Sequence, residues 1–340
     1  MILLVAAVLL PSADQARGHD GDDPVPSLQA ERIEETIRLD GVLDEGAWGR
    51  AQPATGFTQR EPRSGEPATE TTFIRILFDD KTLYVGIDAR HANPERIVAL
   101  EMGRDVSLFR DDSVVVLLDT FHDHRNAYFF ETNPNSSRTD ALITDEGRDT
   151  NFEWDGVWKV RSRRTESGWS AEMAIPFASI RFDRALSTWG INVRRLIRHK
   201  NEETHWSAIP LDADLFRISL AGHLTGLRPP EPSLNLWVKP YGKISSGTSY
   251  VETNGNDPDD SEAGLDIKWG LGRNLSLDLT YNTDFAETEV DDLQVNLTRF
   301  SLFFPEKREF FLENAGIFDF GMDGSLFGPP LIKPFFSRRI

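Results

Sequence analysis

Apolar and polar residues alternate with a period near two along much of the chain. Residues 72–78 (TFIRILF) and 83–89 (LYVGIDA) alternate on either side of Asp79-Asp80-Lys81, which predicts a β-hairpin. Residues 113–118 (SVVVLL) are continuously apolar, the pattern of a strand buried on both faces. Further strand-like runs follow at 127–132, 157–163, 168–175 and 190–197, with a short helical turn predicted at 176–180. No long pattern of helical period intervenes. Residues 31–228 therefore predict an all-β domain, a β-sandwich of jelly-roll-like type.

The segment 39–48 (LDGVLDEGAW) precedes this series. Asp40-Gly41 is a turn signal, because glycine reaches positive φ without a Cβ clash and Asp can bond its own backbone. Asp44 is placed to cap one helical turn that carries Trp48 into the core. The segment reads as an entry corner of the sandwich and not as a site.

Pro229-Pro230-Glu231-Pro232 marks a boundary, since proline-rich chain stays extended and suits a linker. Beyond it the alternation becomes strict. Leu265, Ile267, Trp269 and Leu271 alternate with Asp266, Lys268 and Gly270, and after Gly272-Arg273-Asn274 the set Leu275, Leu277, Leu279 and Tyr281 alternates with Ser276, Asp278 and Thr280. A short turn on one side and a long acidic loop (245–262) on the other match an outer-membrane-type β-barrel, the apolar set facing lipid. A soluble antiparallel sheet with one wet face gives the same alternation. Residues 233–340 supply about five or six spanning strands, fewer than the about eight of the smallest closed barrels, so the barrel is read as incomplete.

Two terminal features follow. Residues 1–13 begin with MILLVAAVLL, too short to span a bilayer and similar to the apolar region of a signal peptide, although without a leading Lys or Arg. Residues 14–30 are polar and acidic with several Gly and Pro, and predict a disordered linker.

Composition narrows the functions. The 340 residues carry 37 Lys+Arg against 55 Asp+Glu, a net charge of -18. That balance excludes nucleic acid as a partner, which needs basic surface to displace counterions. The absence of cysteine excludes disulfides, thiolate metal sites and Cys nucleophiles. No H-E-x-x-H, G-x-S-x-G or phosphate-binding glycine loop occurs, and His122-x-His124 reads as surface loop. With 55 acids a glycosidase-like carboxylate pair can always be named, so naming one identifies nothing.

Several phrases together carry a resemblance: LDGVLDEGAW (39–48), FIRILFDDKTLYVGIDA (73–89), FRDDSVVVLLDTFHDHRNAYFFETNPNSSRTDA (109–141), WDGVWKV (154–160) and GWSAEMAIPFASIRF (168–182). They resemble the family 9 carbohydrate-binding module-like domain, a β-sandwich known as an appendage of xylanases. The phrases at 295–321 and 334–340 resemble bacterial outer-membrane proteins that couple such a domain to a C-terminal β-barrel. The resemblance implies an envelope protein with a periplasmic sandwich that binds an oligo- or polysaccharide, and a C-terminal part in contact with outer-membrane lipid. It also implies a barrel that continues past Ile340, which makes the chain a C-terminally truncated fragment. The alternatives are a secreted glycoside hydrolase or its accessory module in carbohydrate catabolism, and a structural plug that binds no sugar.

Site candidates combine loop context with that resemblance. A sugar platform needs an exposed aromatic face with a few placed polar groups. Trp154 and Trp206 are the platform candidates, with Arg104 and Asn133 as hydroxyl partners, whereas Trp48, Trp158 and Trp169 are expected in the core. The xylanase modules bind calcium structurally. Asp111, Asp112 and Asp140 are the candidate ligands here, since calcium takes six to eight oxygens, with a solvated acidic rim as the alternative. Related sandwiches also carry haem, but no C-x-x-C-H occurs and Met102 and Met173 are the only methionines of the sandwich.

Overall fold

The computed structural model describes residues 25–152, 154–228, 236–246, 259–270 and 276–282. Both the signal-like start and the C-terminal phrases from 295 onward lie outside the described residues.

Two β-sheets make up residues 25–228. The strands are β1 (Ser27–Gln29), β2 (Glu31–Arg32), β3 (Thr58–Glu61), β4 (Thr72–Phe78), β5 (Thr82–Arg90), β6 (Ser113–Asp119), β7 (Ala127–Thr132), β8 (Arg138–Thr144), β9 (Asp149–Asn151), β10 (Lys159–Thr165), β11 (Gly168–Pro176), β12 (Thr188–Ile197), β13 (Glu202–His205) and β14 (Gly222–Thr225). One sheet runs β1-β14-β12-β6-β7-β8-β9, with β13 pairing both β12 and β3. The other runs β10-β11-β5-β4-β2. Their facing residues form one core, including Ile74, Ile76, Val85, Met173, Val114, Val116, Leu118, Phe130 and Trp189. The predicted sandwich is therefore present, and the only α-helix among the described residues is α1 (Gly46–Arg50).

The uninterrupted apolar run of β6 has two separate partners. Val114, Val116 and Leu118 face the opposite sheet. Val115 and Leu117 point the other way, onto Phe129, Ile143 and the returning segment with Ile209, Leu215 and Ile218. A central strand covered on both sides shows no alternation. The hairpin between β4 and β5 forms as expected, with Asp79 accepting bonds from the Lys81 and Thr82 amides at 2.7 and 2.8 Å.

The entry segment docks through a residue that the sequence pattern does not single out. Glu172, in β11, is fully buried and accepts hydrogen bonds from the amides of Asp40 (2.9 Å) and Gly41 (2.8 Å) and from Trp48 Nε1 (3.2 Å). Gly41 has φ +83°, and a Cβ there would lie 2.9 Å from the Ser162 backbone, so position and conformation both require glycine. Trp48 packs with Ile33, Ile37 and Leu77, its ring over Gly86, where a Cβ would come within 2.6 Å. The predicted cap is not made. The helix starts after Glu45, no side chain caps it, and Glu45 Oε1 instead accepts the Arg38 amide. The sandwich also begins earlier than expected, because Ser27–Gln29 of the predicted linker pairs in parallel with β14.

Beyond the proline segment lie β15 (Leu236–Ser246), β16 (Asp259–Gly270) and β17 (Ser276–Tyr281), an antiparallel sheet in the order β15-β16-β17. Register aligns the apolar positions across all three strands: Leu236–Trp269–Leu277, Val238–Ile267–Leu279 and Pro240–Leu265–Tyr281. Val238, Leu277, Leu279 and Tyr281 are exposed, Leu279 by 53%. The 272–274 turn and most of the predicted acidic loop fall outside the described residues, which show neither a closed barrel nor its further strands.

Candidate functional site

Two of the four proposed sugar-contacting residues come together. Trp154 lies on the segment between β9 and β10, half-buried, with its ring 5.1 Å from Tyr128 and 6.1 Å from Phe130. Gly156 allows this placement, since a Cβ there would meet the indole at 2.6 Å. Arg104 Nη2 donates to the Gly156 carbonyl at 3.1 Å. The same guanidinium bonds Asp105 at 3.0 Å and Asp140 at 3.3 Å, and pairs with Asp155. An indole, a guanidinium and the two exposed carboxylates of Asp105 and Asp155 thus converge around one glycine. Gly156 and the supporting rings Tyr128 and Phe130 escaped sequence reasoning. The one available signal was a glycine between two tryptophans in WDGVW.

Asp140 is the buried anchor beneath this group. It accepts the Gly156 amide as well as Arg104, and burial pushes its carboxyl above the usual range against those donors. Its position on β8 follows from register, as Asp140 sits opposite Phe130 on β7.

Asn133 is not a free hydroxyl partner. It is fully buried, and its amide donates to the Glu101 carbonyl (2.8 Å) and to Asp111 (2.7 Å). Its carbonyl oxygen accepts the amides of Asn135 and Ser137. Asn135, Ser137 and Thr139 add bonds to the carbonyls of Ala99, Gly103 and Val106. These bonds lace residues 99–106 to the start of β8, and so Asn133 helps hold the segment that presents Arg104. A buried Asn with all its groups engaged organises a loop.

Trp206 is also corrected. It is only 7% exposed and belongs to the inter-sheet core, its ring against Gly222. The charged run before it suggested exposure. Those charges are partnered instead: Glu202 accepts the amide and hydroxyl of Thr69 at 2.8 and 2.6 Å, and Glu203 meets His205 at 2.8 Å. Trp48, Trp158 and Trp169 are buried as expected.

The residues named for calcium do not form one site. Asp111 accepts the amides of Leu100 and Glu101 and the Asn133 side chain, Asp112 accepts those of Val98 and Arg198, and Asp140 is paired with Arg104. Among the described residues, Asp140 groups with Asp105 and Asp155, and Asp112 with His91 and His199. Arg104 bonds all three carboxylates of the first group, so its guanidinium already supplies the positive charge there. The nominated set does not fit calcium.

Comparison with known proteins places the domain. A family model described as carbohydrate family 9 binding domain-like matches residues 39–209, half of the chain. The chain belongs to this family. A second model, a domain of unknown function (DUF5916), matches residues 232–340 and takes in β15, β16 and β17. Among solved structures, a family 9 carbohydrate binding module from Caldicellulosiruptor kristjanssonii in complex with cellotriose is 13% identical, covering 61% of this chain and 95% of that one, with TM-score 0.43. The same module in complex with glucose is 13% identical over 59% of this chain and 95% of that one, with TM-score 0.42. A Bacteroides uniformis protein is 15% identical over 59% of this chain and 99% of its own, with TM-score 0.48. No curated protein matches the chain. The family 9-like model ends at residue 209, but the sheet it describes is completed by β14 and β1 on either side of it.

Proposed function

We propose that the family 9-like sandwich binds a glycan on the surface formed by Trp154, Arg104, Asp105 and Asp155. The observation that carries this reading is the placement of the indole beside a fixed guanidinium and two exposed carboxylates, all referred to Gly156. An apolar ring face can take the apolar face of a sugar, while planar donors and carboxylate acceptors bond hydroxyls. Family membership supports the same reading. A glycosidase is less well supported at this surface. The ligand oxygens of Asp105, Asp140 and Asp155 lie within 4.8 Å of one another. Arg104 bonds all three, so each of these carboxylates is already engaged by a cation.

Calorimetry of the chain against soluble oligosaccharides, with and without calcium, tests the proposal. Binding should be lost in Trp154→Ala and strongly weakened in Arg104→Ala, with the domain still folded by circular dichroism. A folded wild-type protein that binds no glycan at about millimolar concentration overturns it and leaves a structural role.

The second sheet supports a further reading, that the C-terminal part is the beginning of an outer-membrane-type barrel and the sandwich is periplasmic. Its strands β15 and β16 have 11 and 12 residues, enough for the about 9–11 of a tilted spanning strand. The exposed, register-aligned row Val238 and Leu279 is the kind of surface that lipid covers. Single cysteines placed in this otherwise cysteine-free chain test it. Positions 238 and 279 should be shielded from aqueous reagents in bilayers and positions 266 and 280 reactive. Equal labelling of both sets rejects the barrel.

A further inference from the structure

We infer that His91, Asp112 and His199 form a binding site for a divalent transition cation of the zinc class, clasping the two sheets at one end of the sandwich. His91 directly follows β5 of one sheet, Asp112 directly precedes β6 of the other, and His199 lies in the turn that ends β12. The three are far apart in sequence, and no spacing motif announces them. In the fold, their ligand atoms lie within 4.8 Å of one another, and the two imidazoles are 4.6 Å apart.

The second observation is unmet bonding. His91 is 4% exposed, and its Nε2 is buried with no hydrogen-bond partner. The Nδ1 of His199 is likewise buried and without a partner. Buried polar atoms are nearly always satisfied, so two orphaned ring nitrogens in one cluster with a carboxylate need an explanation. A cation supplies one. Two imidazoles and a carboxylate are the donor set of a three-ligand zinc site, which leaves a fourth position for water. His199 is only half-buried, so that position can open to solvent. The Zn–N distance is about 2.0–2.1 Å, so ring rotation must bring the donors inward from their present spacing.

The surroundings orient the set. Asp112 is held by the amides of Val98 (2.5 Å) and Arg198 (3.1 Å), which leaves lone pairs on both oxygens for a metal. The Asn93 amide approaches His91 Nδ1 at 3.2 Å, which puts the ring proton on the orphaned Nε2. Coordination through Nε2 moves the ring proton to Nδ1, so Nδ1 no longer accepts from Asn93 and that amide must turn away. The neutral imidazole is the ligand form. Arg195 and Lys200 lie near His91 and repel a cation. Asp112 and Glu70 balance them, the latter pairing with Lys200 at 2.5 Å.

Titration of the full chain with Zn2+ alone and with Co2+ alone is the test. One tight equivalent is expected, with visible Co2+ bands of low coordination number and a zinc-dependent rise in Tm. His199→Ala should weaken zinc at least as much as the about 10–100-fold that losing an outer-shell partner costs, without unfolding the protein. His91→Gln, which keeps bulk in a buried position, should do the same. The half-buried cluster His122, His124 and His223, with rings 4.5 and 5.3 Å from His122, is the internal control. His122→Ala/His223→Ala should retain the tight equivalent. Absence of a tight equivalent in the folded wild type, or its loss in the His122/His223 variant and not in His199→Ala, overturns the inference.

Discussion

The sandwich and the three-stranded sheet carry the same alternation and bury it differently. In the sandwich, the inward residues of β4, β5, β6, β11 and β12 meet across two sheets and are almost fully buried. In β15, β16 and β17, register aligns apolar residues just as well, yet Val238 and Leu279 stay 53% exposed. Period two specifies a strand and one apolar face. It does not specify what covers that face, since another sheet and a lipid tail are both apolar. The polar groups differ as well. Within the sandwich, buried charges are tied into the backbone. Arg195 donates to the Thr71 and Arg90 carbonyls and to the Thr72 hydroxyl, linking β12 to the other sheet, and its pKa falls to about 10 through burial, against Asp112 and Glu70, so it remains charged at neutral pH.

The largest effect should come from the entry corner. Trp48→Ala removes a buried ring over Gly86 and leaves Glu172 without its indole donor, so denaturant titration should show a loss of about 3–5 kcal/mol. A loss below about 1 kcal/mol would mean that the ring lies at the surface and that the corner is not a core element.

A matched pair of leucines probes the contrast between regions directly. Leu118→Ala in β6 should cost about 2–5 kcal/mol, because its cavity is enclosed by both sheets. Leu279→Ala in β17 should cost well under about 1 kcal/mol in aqueous or detergent solution, because it is 53% exposed among the described residues. Equal losses would show that a further part of the chain covers the second sheet.

The smallest effect expected is a pH dependence from His205, which is buried beside Glu203. Burial, then Arg194 and Arg60, lower its pKa below 6.5, against the Glu203 contact. The folded state therefore takes up this proton less readily than the unfolded chain, so the contribution is complete above pH 6.5 and lost as pH falls from there towards the lowered pKa. Tm should drop over that window, and His205→Gln should flatten the drop. An unchanged profile in the variant would remove His205 from the account. Buried Asp119 and Asp140, with raised pKa values, oppose this trend as pH falls through those values towards their ordinary 3.8.

Sequence reading reached the fold more surely than the site. The β4–β5 hairpin, the doubly buried β6 and the core Trp48 were legible because turn residues and apolar period are local properties. The short strands β3, β13 and β14 were not, since four residues carry too little periodicity and their pairing is long-range. Trp154 and Arg104 were named from loop context and resemblance, and they lie together in the fold. Trp206 and Asn133 failed for one reason: a polar neighbourhood in sequence looks solvated even when its groups are paired in space.

By itself, then, the sequence determined an all-β chain with two textures separated by prolines, a buried entry tryptophan and the membership of residues 39–209 in a carbohydrate-binding-like family. Only the tertiary structure decided which polar residues meet. Glu172 under the entry corner, Gly156 between Trp154 and Arg104, and the His91–Asp112–His199 group are each assembled from separate segments of the chain. Strand periodicity is written in neighbouring residues. Long-range contacts depend on register and packing between segments up to 197 residues apart, and hydrophobic burial, being non-directional, leaves no local mark of them.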